Sequence, residues 1–424
     1  MTTDATSRSW LSGWRLDGIL VATVCLLGLL LLRPGVFSVD ESHYLLAAKA
    51  MASGQAFHID NGYEDVRDPS LLFFYTVRPD ALDEKGSMSS VPPFHALLAT
   101  PFLWLGGLSG LIWLNLLAFA ASLMAVRRLA EQLLDSQAFV FATLAAFATA
   151  TFSLEYAFGI WPHATSQAVA AWATVALITA PGARRPGLLL FAAGLLAGMG
   201  CGIRLQHMLE LPLFLLAALW LMKMRWRSLW ILAGFIPPLL AMSLINSFRL
   251  GTINPFSYGA SSMFAGALGI LLHQAWLPLL AATALVATLI FTRKTGRNWA
   301  WAVLLLGGLA VVLLLPLGRR LLLHWAGFAG YHLLDSSLLG DISRSVGATA
   351  NEWGQALYGG VMKKSLLQAA PWLAMAPLVL WSARGETTQQ IKSVALVGLG
   401  CVLLLPFIAS AGGFCFNPRY FVDC

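Results

Sequence analysis

Charged residues are scarce in this chain of 424 residues. Only 11% of the residues are Asp, Glu, Lys or Arg, whereas 58% are hydrophobic and the mean hydropathy is +0.73. A soluble globular domain carries charge on roughly a quarter of its residues. The composition therefore excludes an ordinary soluble domain, and most of the chain must face lipid or other apolar segments.

Metal-binding and redox motifs are also lacking, because the five cysteines are scattered, with no C-x-x-C pair and no zinc-ligand spacing. Lys and Arg outnumber Asp and Glu by 27 to 20, but the excess lies in short loops, which is typical of membrane topology rather than of nucleic-acid binding. We therefore predict no cofactor and no nucleic-acid partner. An acid-rich stretch is an alternative site for a divalent cation, although such stretches are more often solvated surface; its acids are Asp60, Glu64, Asp65, Asp68 and Asp80.

Long continuous apolar runs fill the chain instead. In lipid, every backbone N–H and C=O group must be bonded within its own element, so only helices and closed barrels cross a bilayer. The runs lack the polar–apolar alternation of barrel strands, and they predict one all-α, polytopic transmembrane bundle over residues 1–424. At about 20 residues per span, we predict eleven spans, near residues 16–33, 106–126, 137–155, 163–180, 187–203, 207–222, 229–246, 267–291, 299–317, 366–382 and 393–411.

Two predicted connections, residues 34–91 and 318–365, are long, whereas ordinary connections have about 4–6 residues. Both contain aromatic, His and charged residues rather than low-complexity sequence. We therefore expect folded surface structures in both, with interfacial helices in the first. The apolar run 92–105 is too short to span, so we predict a separate interfacial or re-entrant helix there.

Lys and Arg residues mark one side of the predicted membrane. If the N-terminus is cytoplasmic, every short inner connection is basic, as the positive-inside rule requires. The two long connections then lie on the outer side. The residues that carry this pattern are Arg8, Arg15, Arg127, Arg128, Arg184, Arg185, Lys223, Arg225, Arg227, Arg293, Lys294, Arg297, Arg384 and Lys392.

Two adjacent carboxylates, Asp40 and Glu41, follow the first predicted span and precede a predicted short helix, residues 44–51. A carboxylate held at the bilayer surface is suited to general-base catalysis or to ion binding. The alternative is a helix cap, because acidic side chains stabilise the N-terminal end of a helix. The two interpretations are compatible, since the start of a helix also fixes a catalytic carboxylate.

Further short motifs follow this acidic pair in a fixed order. They are the small-residue helix 43–54, a Pro-Pro segment from Val91 to Phe102, Ile160-Trp161-Pro162-His163, Asn246 through Gly251 to Pro255, Tyr258-Gly259, and Asn417-Pro418-Arg419-Tyr420. In this order the motifs resemble those of the GT-C superfamily of membrane glycosyltransferases, in particular the bacterial relatives of the protein mannosyltransferases. The resemblance covers nearly the whole chain.

The resemblance implies a reaction and a site. In that superfamily the first outer loop carries an acidic pair whose Asp is the catalytic base, and the donor is a sugar on a polyprenyl phosphate. Here it implies Asp40 as general base beside Glu41, a periplasmic site in a bacterial inner membrane, and a lipid, glycan or protein acceptor. Members continue past a segment like 417–420, so the resemblance also implies that the chain is a C-terminally truncated form.

Cationic side chains for a departing phosphate occur at the predicted outer ends of the spans. The planar guanidinium of Arg binds two phosphate oxygens and stabilises the charge that develops on them. The candidates are Arg204, Arg249, Arg319, Arg320 and Arg419, with His163, Tyr258 and His95 as further substrate-binding residues. One base and one phosphate leaving group predict an inverting single displacement, since the second carboxylate that retention requires is not identifiable.

Arg204, His207 and Glu210 recur at a spacing of three, which predicts one helical face. Ionisable residues in spans favour a functional role, although an internal ion pair of Arg204 with Glu210 or Glu155 is the alternative. Gly194 and Gly198 predict close helix packing.

A transporter or flippase of a lipid-linked sugar is the main alternative function, because it would share the arginines and a lipid groove. Such proteins typically have paired repeats and charge near the bilayer midplane. No internal repeat is evident here, and nearly all charge lies at predicted span ends. These observations favour sugar transfer at the membrane surface over transport. A non-catalytic assembly subunit is the third possibility.

Overall fold

The computed structural model describes residues 18–30, 35–36, 39–59, 82–83, 86–89, 91–151 and 153–256, together with short stretches between 326 and 404, the longest being 388–404. The described residues fall into two compact units. The first contains those up to 256, residue 369 and residues 388–403, and the second contains those from 326 to 368 and residue 404. The prediction of a single domain over residues 1–424 stays a prediction.

Helices dominate the described residues. In chain order they are α1 Gly18–Leu30, α2 Val39–Ala52, α3 Pro93–Leu133, α4 Gln137–Ala150, α5 Ser153–Ala157, α6 His163–Thr179, α7 Pro186–Ile203, α8 Glu210–Leu216, α9 Leu229–Leu250, α10 Leu366–Ala369 and α11 Thr388–Leu404. Short 3-10 turns cover Ala180–Gly182, Leu205–Leu209 and Arg225–Ser228, and a π turn, Ala217–Leu221, continues α8.

Three helical stretches are long and apolar enough to cross a membrane, namely Pro93–Leu133, Pro186–Ile203 and Arg225–Leu250. Shorter apolar helices are Gly18–Leu30, Gln137–Ala150 and Leu205–Leu221. The helical, membrane-type character that the composition predicts is therefore present in the described part of the chain. The count of eleven spans stays a prediction, and the predicted spans 267–291 and 299–317 lie outside the described residues.

Helix α3 is two helices joined by a sharp break at Gly107, whose backbone is non-helical (φ 57°, ψ −138°). A Cβ atom at Gly110 would overlap the backbone carbonyl of Phe102. Residues eight apart in a straight helix lie about 12 Å apart along its axis, so the chain folds back on itself at the break. The predicted separation of the short apolar run 92–105 from the span that follows is therefore confirmed.

Two small antiparallel sheets correct the prediction of an entirely helical chain. Strands β1 (His58–Ile59), β2 (Leu82–Asp83) and β3 (Gly86–Met88) form the order β1-β3-β2, with His58 opposite Met88 and Leu82 opposite Ser87. Strands β4 (Ala348–Ala350), β5 (Ala356–Tyr358) and β6 (Val361–Met362) form the order β4-β5-β6, with Ala348 opposite Tyr358 and Leu357 opposite Met362. Strands of two or three residues are too short to show alternation in the sequence.

Helices α7 and α9 pack along each other through glycines. A Cβ atom at Gly194 would overlap the Ile231 carbonyl of α9, and a Cβ atom at Gly234 would overlap the Phe191 carbonyl of α7. Glycine lets the two backbones approach to a distance that any side chain would prevent. The close packing that the Gly194–Gly198 spacing predicts is therefore confirmed.

The predicted span 207–222 is not one regular α-helix. It begins as the 3-10 turn Leu205–Leu209, becomes α8 at Glu210 and ends in the π turn. Pro212 explains the irregular start, because proline has no N–H to donate and its ring clashes with the carbonyl four residues earlier.

An apolar core holds the first helices together. Phe119, Leu123, Leu144 and Ile160 are buried in it, and residues of α1 and α2 pack against it. Between helices in lipid, the close packing of such side chains supplies the stabilisation, because lipid is as apolar as the core. The core lies beside the loop between α5 and α6, which organises the candidate site.

Candidate functional site

The loop of residues 158–162, between α5 and α6, is anchored to α3 by one buried amide. Nδ2 of Asn115 donates to the carbonyls of Gly159 (2.8 Å) and Trp161 (2.7 Å). Its Oδ1 atom accepts from the hydroxyl of Thr165 at 3.2 Å. An amide in an apolar helix is costly unless it is bonded, and these three bonds satisfy it while fixing the 158–162 loop.

Glu41 contacts the same loop. Its side chain is only 1% exposed, and Oε1 accepts a hydrogen bond from the backbone N–H of Ile160 at 3.3 Å. A Cβ atom at Gly159 would lie 2.9 Å from this oxygen, so glycine leaves room for the carboxylate. Asp40 precedes Glu41 in the first turn of α2, which begins at Val39 rather than at the predicted residue 44.

His95 lies in the first turn of α3 and is 3% exposed. Its ring meets the ring of Tyr44 edge-on, with centroids 5.5 Å apart, and it lies near the Ile160 backbone. His95 and Glu41 therefore approach the same residue of the 158–162 loop from two different helices.

His163 begins α6 directly after the loop. Its ring stacks on Tyr156, with centroids 4.3 Å apart and an interplanar angle of 11°, and it meets Trp161 edge-on at 5.1 Å. The side chain is buried. These contacts fix the imidazole at the helix start, where the N-terminal dipole favours negatively charged groups.

Arg249, in the last turn of α9, is engaged in protein contacts. Its guanidinium donates to the Val91 carbonyl and, at 2.9 Å, to Oδ1 of Asn246, and it lies 5.2 Å from the ring centroid of Phe57. Asn246 in turn donates to the carbonyl of Asn254 at 2.9 Å. These bonds tie the end of α9 to the segments before α3, so we interpret Arg249 as a structural residue rather than as a phosphate ligand.

Arg204 directly follows α7 and has an extended backbone (φ −149°, ψ 127°). The prediction that Arg204, His207 and Glu210 share one helical face is therefore wrong for Arg204, because the extended residue separates α7 from the next turn. His207 and Glu210 do meet, with Nδ1 and Oε1 2.7 Å apart. The Arg204 side chain is 7% exposed.

Five helix ends lie close together in this part of the first unit, namely the starts of α2, α3 and α6 and the ends of α7 and α9. The start of α2 and the start of α3 both contact the 158–162 loop, and a Cβ atom at Gly202 of α7 would overlap the ring of Phe94. A small apolar cluster joins α2 and α3 to the strand β1 region and to the end of α9; it includes Tyr44, Phe57, Val91, Ala96 and Ile245. The structure therefore brings Glu41, His95, His163, Arg204 and Arg249 to neighbouring helix ends.

Other predicted residues lie outside the described part of the chain. They are Tyr258, Arg319, Arg320, Arg419 and the acids of residues 60–80. Among the described residues, no group of three or more His, Cys, Asp or Glu side chains is arranged to hold a metal ion.

A groove of about 470 Å³ lies between α2 and the first half of α3. Leu46, Leu103 and Trp104 give it apolar walls, and Lys49, Ser53 and Gln55 give it a polar side. The indole N–H of Trp104 donates to the Ala52 carbonyl at 3.0 Å, which fixes the ring although it is 68% exposed. An apolar groove with a polar rim suits a lipid chain that carries a polar head.

Two residues that organise this region were not singled out from the sequence. Asn115 is a lone amide in an apolar span, and Ser166 is a hydroxyl in the first turn of α6. A polar side chain within a span signals a buried partner, so both signals were available, although neither indicates which partner.

No protein-family model matches this chain, and neither the curated proteins nor the solved structures contain a match to it.

Proposed function

We propose that this chain is a multi-pass membrane glycosyltransferase of the GT-C type in a bacterial inner membrane, with a cytoplasmic N-terminus. It transfers a sugar from a polyprenyl-phosphate donor to a lipid, glycan or protein acceptor at the periplasmic face. The support comes from the residues of the site and from the order of the motifs along the chain. The comparisons with known proteins add no support.

The observation that carries the proposal is the meeting of ionisable residues at helix ends. Glu41, His95 and His163 contact the 158–162 loop or follow it directly, and Arg204 directly follows the helix that packs against the start of α3. Ionisable groups at helix ends suit chemistry at the membrane surface. A transporter would be expected to hold such groups near the bilayer midplane.

The roles follow from the chemistry. Asp40 accepts the proton of the acceptor hydroxyl while the acceptor oxygen forms a bond to the anomeric carbon of the sugar. The bond between that carbon and the phosphate oxygen breaks at the same time, and polyprenyl phosphate leaves with both bonding electrons. Arg204 stabilises the charge on the departing phosphate, and the groove beside Trp104 accepts part of the lipid chain. The single displacement inverts the anomeric centre.

Glu41 has a different role from its neighbour. Because its carboxylate is buried and accepts from the Ile160 N–H group, it orients the first turn of α2 against the 158–162 loop. We therefore assign the base to Asp40 and a positioning role to Glu41.

The test is Asp40→Asn in membrane vesicles that contain the full chain and radiolabelled sugars on polyprenyl phosphate. Removal of a general base lowers the rate by about 100- to 10,000-fold, so we expect transfer to fall by at least this lower factor. Asp135→Asn, an exposed carboxylate after the other end of α3, is the matched control and should transfer at the normal rate. Normal transfer by Asp40→Asn would overturn the assignment.

A further inference from the structure

Three buried polar side chains form a continuous hydrogen-bonded chain between α6 and the turn after α7. The Ser166 hydroxyl lies 2.6 Å from Nε2 of His207, and Nδ1 of the same ring lies 2.7 Å from Oε1 of Glu210. When Glu210 is ionised its carboxylate only accepts hydrogen bonds, and Nδ1 of His207 is then the donor. In the neutral ring the Ser166 hydroxyl then donates to Nε2. We call these three residues the buried relay.

Packing fixes the imidazole of the buried relay in one place. His207 is 1% exposed, and a Cβ atom at Gly200 would lie 2.5 Å from the Cγ and Nδ1 atoms of its ring. Only glycine at this position of α7 leaves room for the imidazole. The ring therefore has one orientation, and the bonds at its two nitrogens have fixed directions.

Glu210 depends on this histidine. The carboxylate is 4% exposed, and its second oxygen, Oε2, has no hydrogen-bond partner in the described part of the chain. A buried carboxylate is costly unless it is paired, and His207 supplies the described pairing. Loss of His207 would leave this charge without its donor.

Ser166 and His207 of the buried relay each lie one turn from the proposed site, Ser166 from the 158–162 loop and His207 from Arg204. The Ser166 N–H group donates to the Pro162 carbonyl at 2.8 Å, which places the hydroxyl one turn beyond the 158–162 loop. The His207 N–H group donates to the Arg204 carbonyl at 3.3 Å. The buried relay therefore joins the segment that carries Arg204 to the segment that carries the loop.

We propose that His207 is a positioning residue that holds Arg204 in register with the 158–162 loop through its bonds to Ser166 and Glu210. The consequence for phosphate binding rests on the proposed function, whereas the link between the two segments does not. Removing His207 keeps the guanidinium charge of Arg204 but releases its backbone, so phosphate binding weakens without loss of the cation.

The experiment uses the full chain in lipid nanodiscs and farnesyl phosphate as the probe. The Kd of the probe and the amide hydrogen exchange of residues 158–166 and 200–210 are measured for Arg204→Gln, His207→Gln and Ser166→Ala. Ser122→Ala removes a buried hydroxyl that bonds only within α3 and is the matched control. Ser166→Thr keeps the hydroxyl and tests for rescue.

We expect Arg204→Gln to raise the Kd about tenfold or more, as the loss of a charge-assisted bond does. We expect His207→Gln, which keeps the guanidinium but releases its backbone, to raise the Kd as well. Exchange should accelerate in both segments for His207→Gln and Ser166→Ala, while exchange in α4 stays unchanged. Ser166→Thr should restore slow exchange. If His207→Gln does not fold, the Kd and the hydrogen exchange are both measured on Ser166→Ala, which removes only one hydroxyl.

Two outcomes separate the inference from the proposed function. Weakened binding by Arg204→Gln with normal binding by His207→Gln and Ser166→Ala would overturn the positioning role and leave the proposed function standing. If the unmodified protein does not bind farnesyl phosphate, the proposed function loses its support. The positioning role of His207 is then tested by hydrogen exchange alone. Unchanged exchange of residues 158–166 in both relay variants would then overturn the positioning role.

Discussion

Replacing Asn115 with alanine is expected to loosen the 158–162 loop without altering any residue of the loop. The Asn115 side chain is fully buried in α3. Its amide holds two carbonyls of the loop, those of Gly159 and Trp161, and also accepts from Thr165. Alanine favours the helix even more than asparagine does, so the variant isolates the loss of these three bonds.

The expected cost follows from those bonds. Each hydrogen bond contributes about 1 kcal/mol, and a fully buried polar group left without a partner costs roughly 1–3 kcal/mol. Because Gly159 and Trp161 are half-buried, the lower part of that range applies to their carbonyls. We therefore expect the free energy of unfolding to fall by about 3 kcal/mol. This is a large part of a typical total of about 5–15 kcal/mol.

Ser122→Ala in the same helix is the matched control. Ser122 is equally buried, but its hydroxyl donates within α3, to the Ala118 carbonyl at 3.0 Å. Its loss should cost less than about 1 kcal/mol, because an intrahelical hydroxyl bond adds little. Both variants are compared by equilibrium unfolding in mixed micelles with increasing dodecyl sulfate, followed by circular dichroism.

The same variant should also affect transfer, because Glu41 bonds to Ile160 within the loop that Asn115 holds. Sugar transfer in vesicles should therefore fall for Asn115→Ala and stay normal for Ser122→Ala. Equal unfolding free energies for the two variants would refute the reasoning, since the loop would then not depend on the amide.

Two further changes test the packing around the site. Gly194→Ala should lower the free energy of unfolding by about 2 kcal/mol or more, because the added carbon overpacks against the Ile231 carbonyl. Gly182→Ala is the control and should leave the melting temperature unchanged, since no atom lies within 4 Å of its added carbon. Arg249→Lys should cost about 2–3 kcal/mol, because an ammonium cannot reproduce the forked bonds and the contact with the Phe57 ring; unchanged thermal unfolding would contradict this.

Helix positions could be predicted from the sequence where apolar runs have clear ends. The predicted spans 163–180 and 187–203 match α6, His163–Thr179, and α7, Pro186–Ile203, within one residue. Proline marks both starts, since it fits the first turn of a helix and disfavours helical backbone in the residue before it. The break in α3 was also predictable, because the run before Gly107 is too short to span a bilayer.

Contacts between distant segments could not be predicted in the same way. Asn115 as a lone amide indicates a buried partner, but nothing local points to carbonyls more than 40 residues further along. The extended backbone at Arg204 likewise has no local signal in the sequence. Because of this conformation, only His207 and Glu210 of the three residues pair at helical spacing. The two small sheets have strands that are too short for any periodicity to appear.

Photolabelling tests the central claim that donor and protein groups meet at this end of the first unit. Farnesyl phosphate with a diazirine on its prenyl chain is irradiated with the full chain in nanodiscs, and labelled residues are identified by mass spectrometry. The account predicts labels on α2, on residues 93–106 and on residues 158–163, with competition by unlabelled polyprenyl phosphate. Competed labels confined to the other helix ends, near Arg127, Arg184 and Arg185, would contradict it.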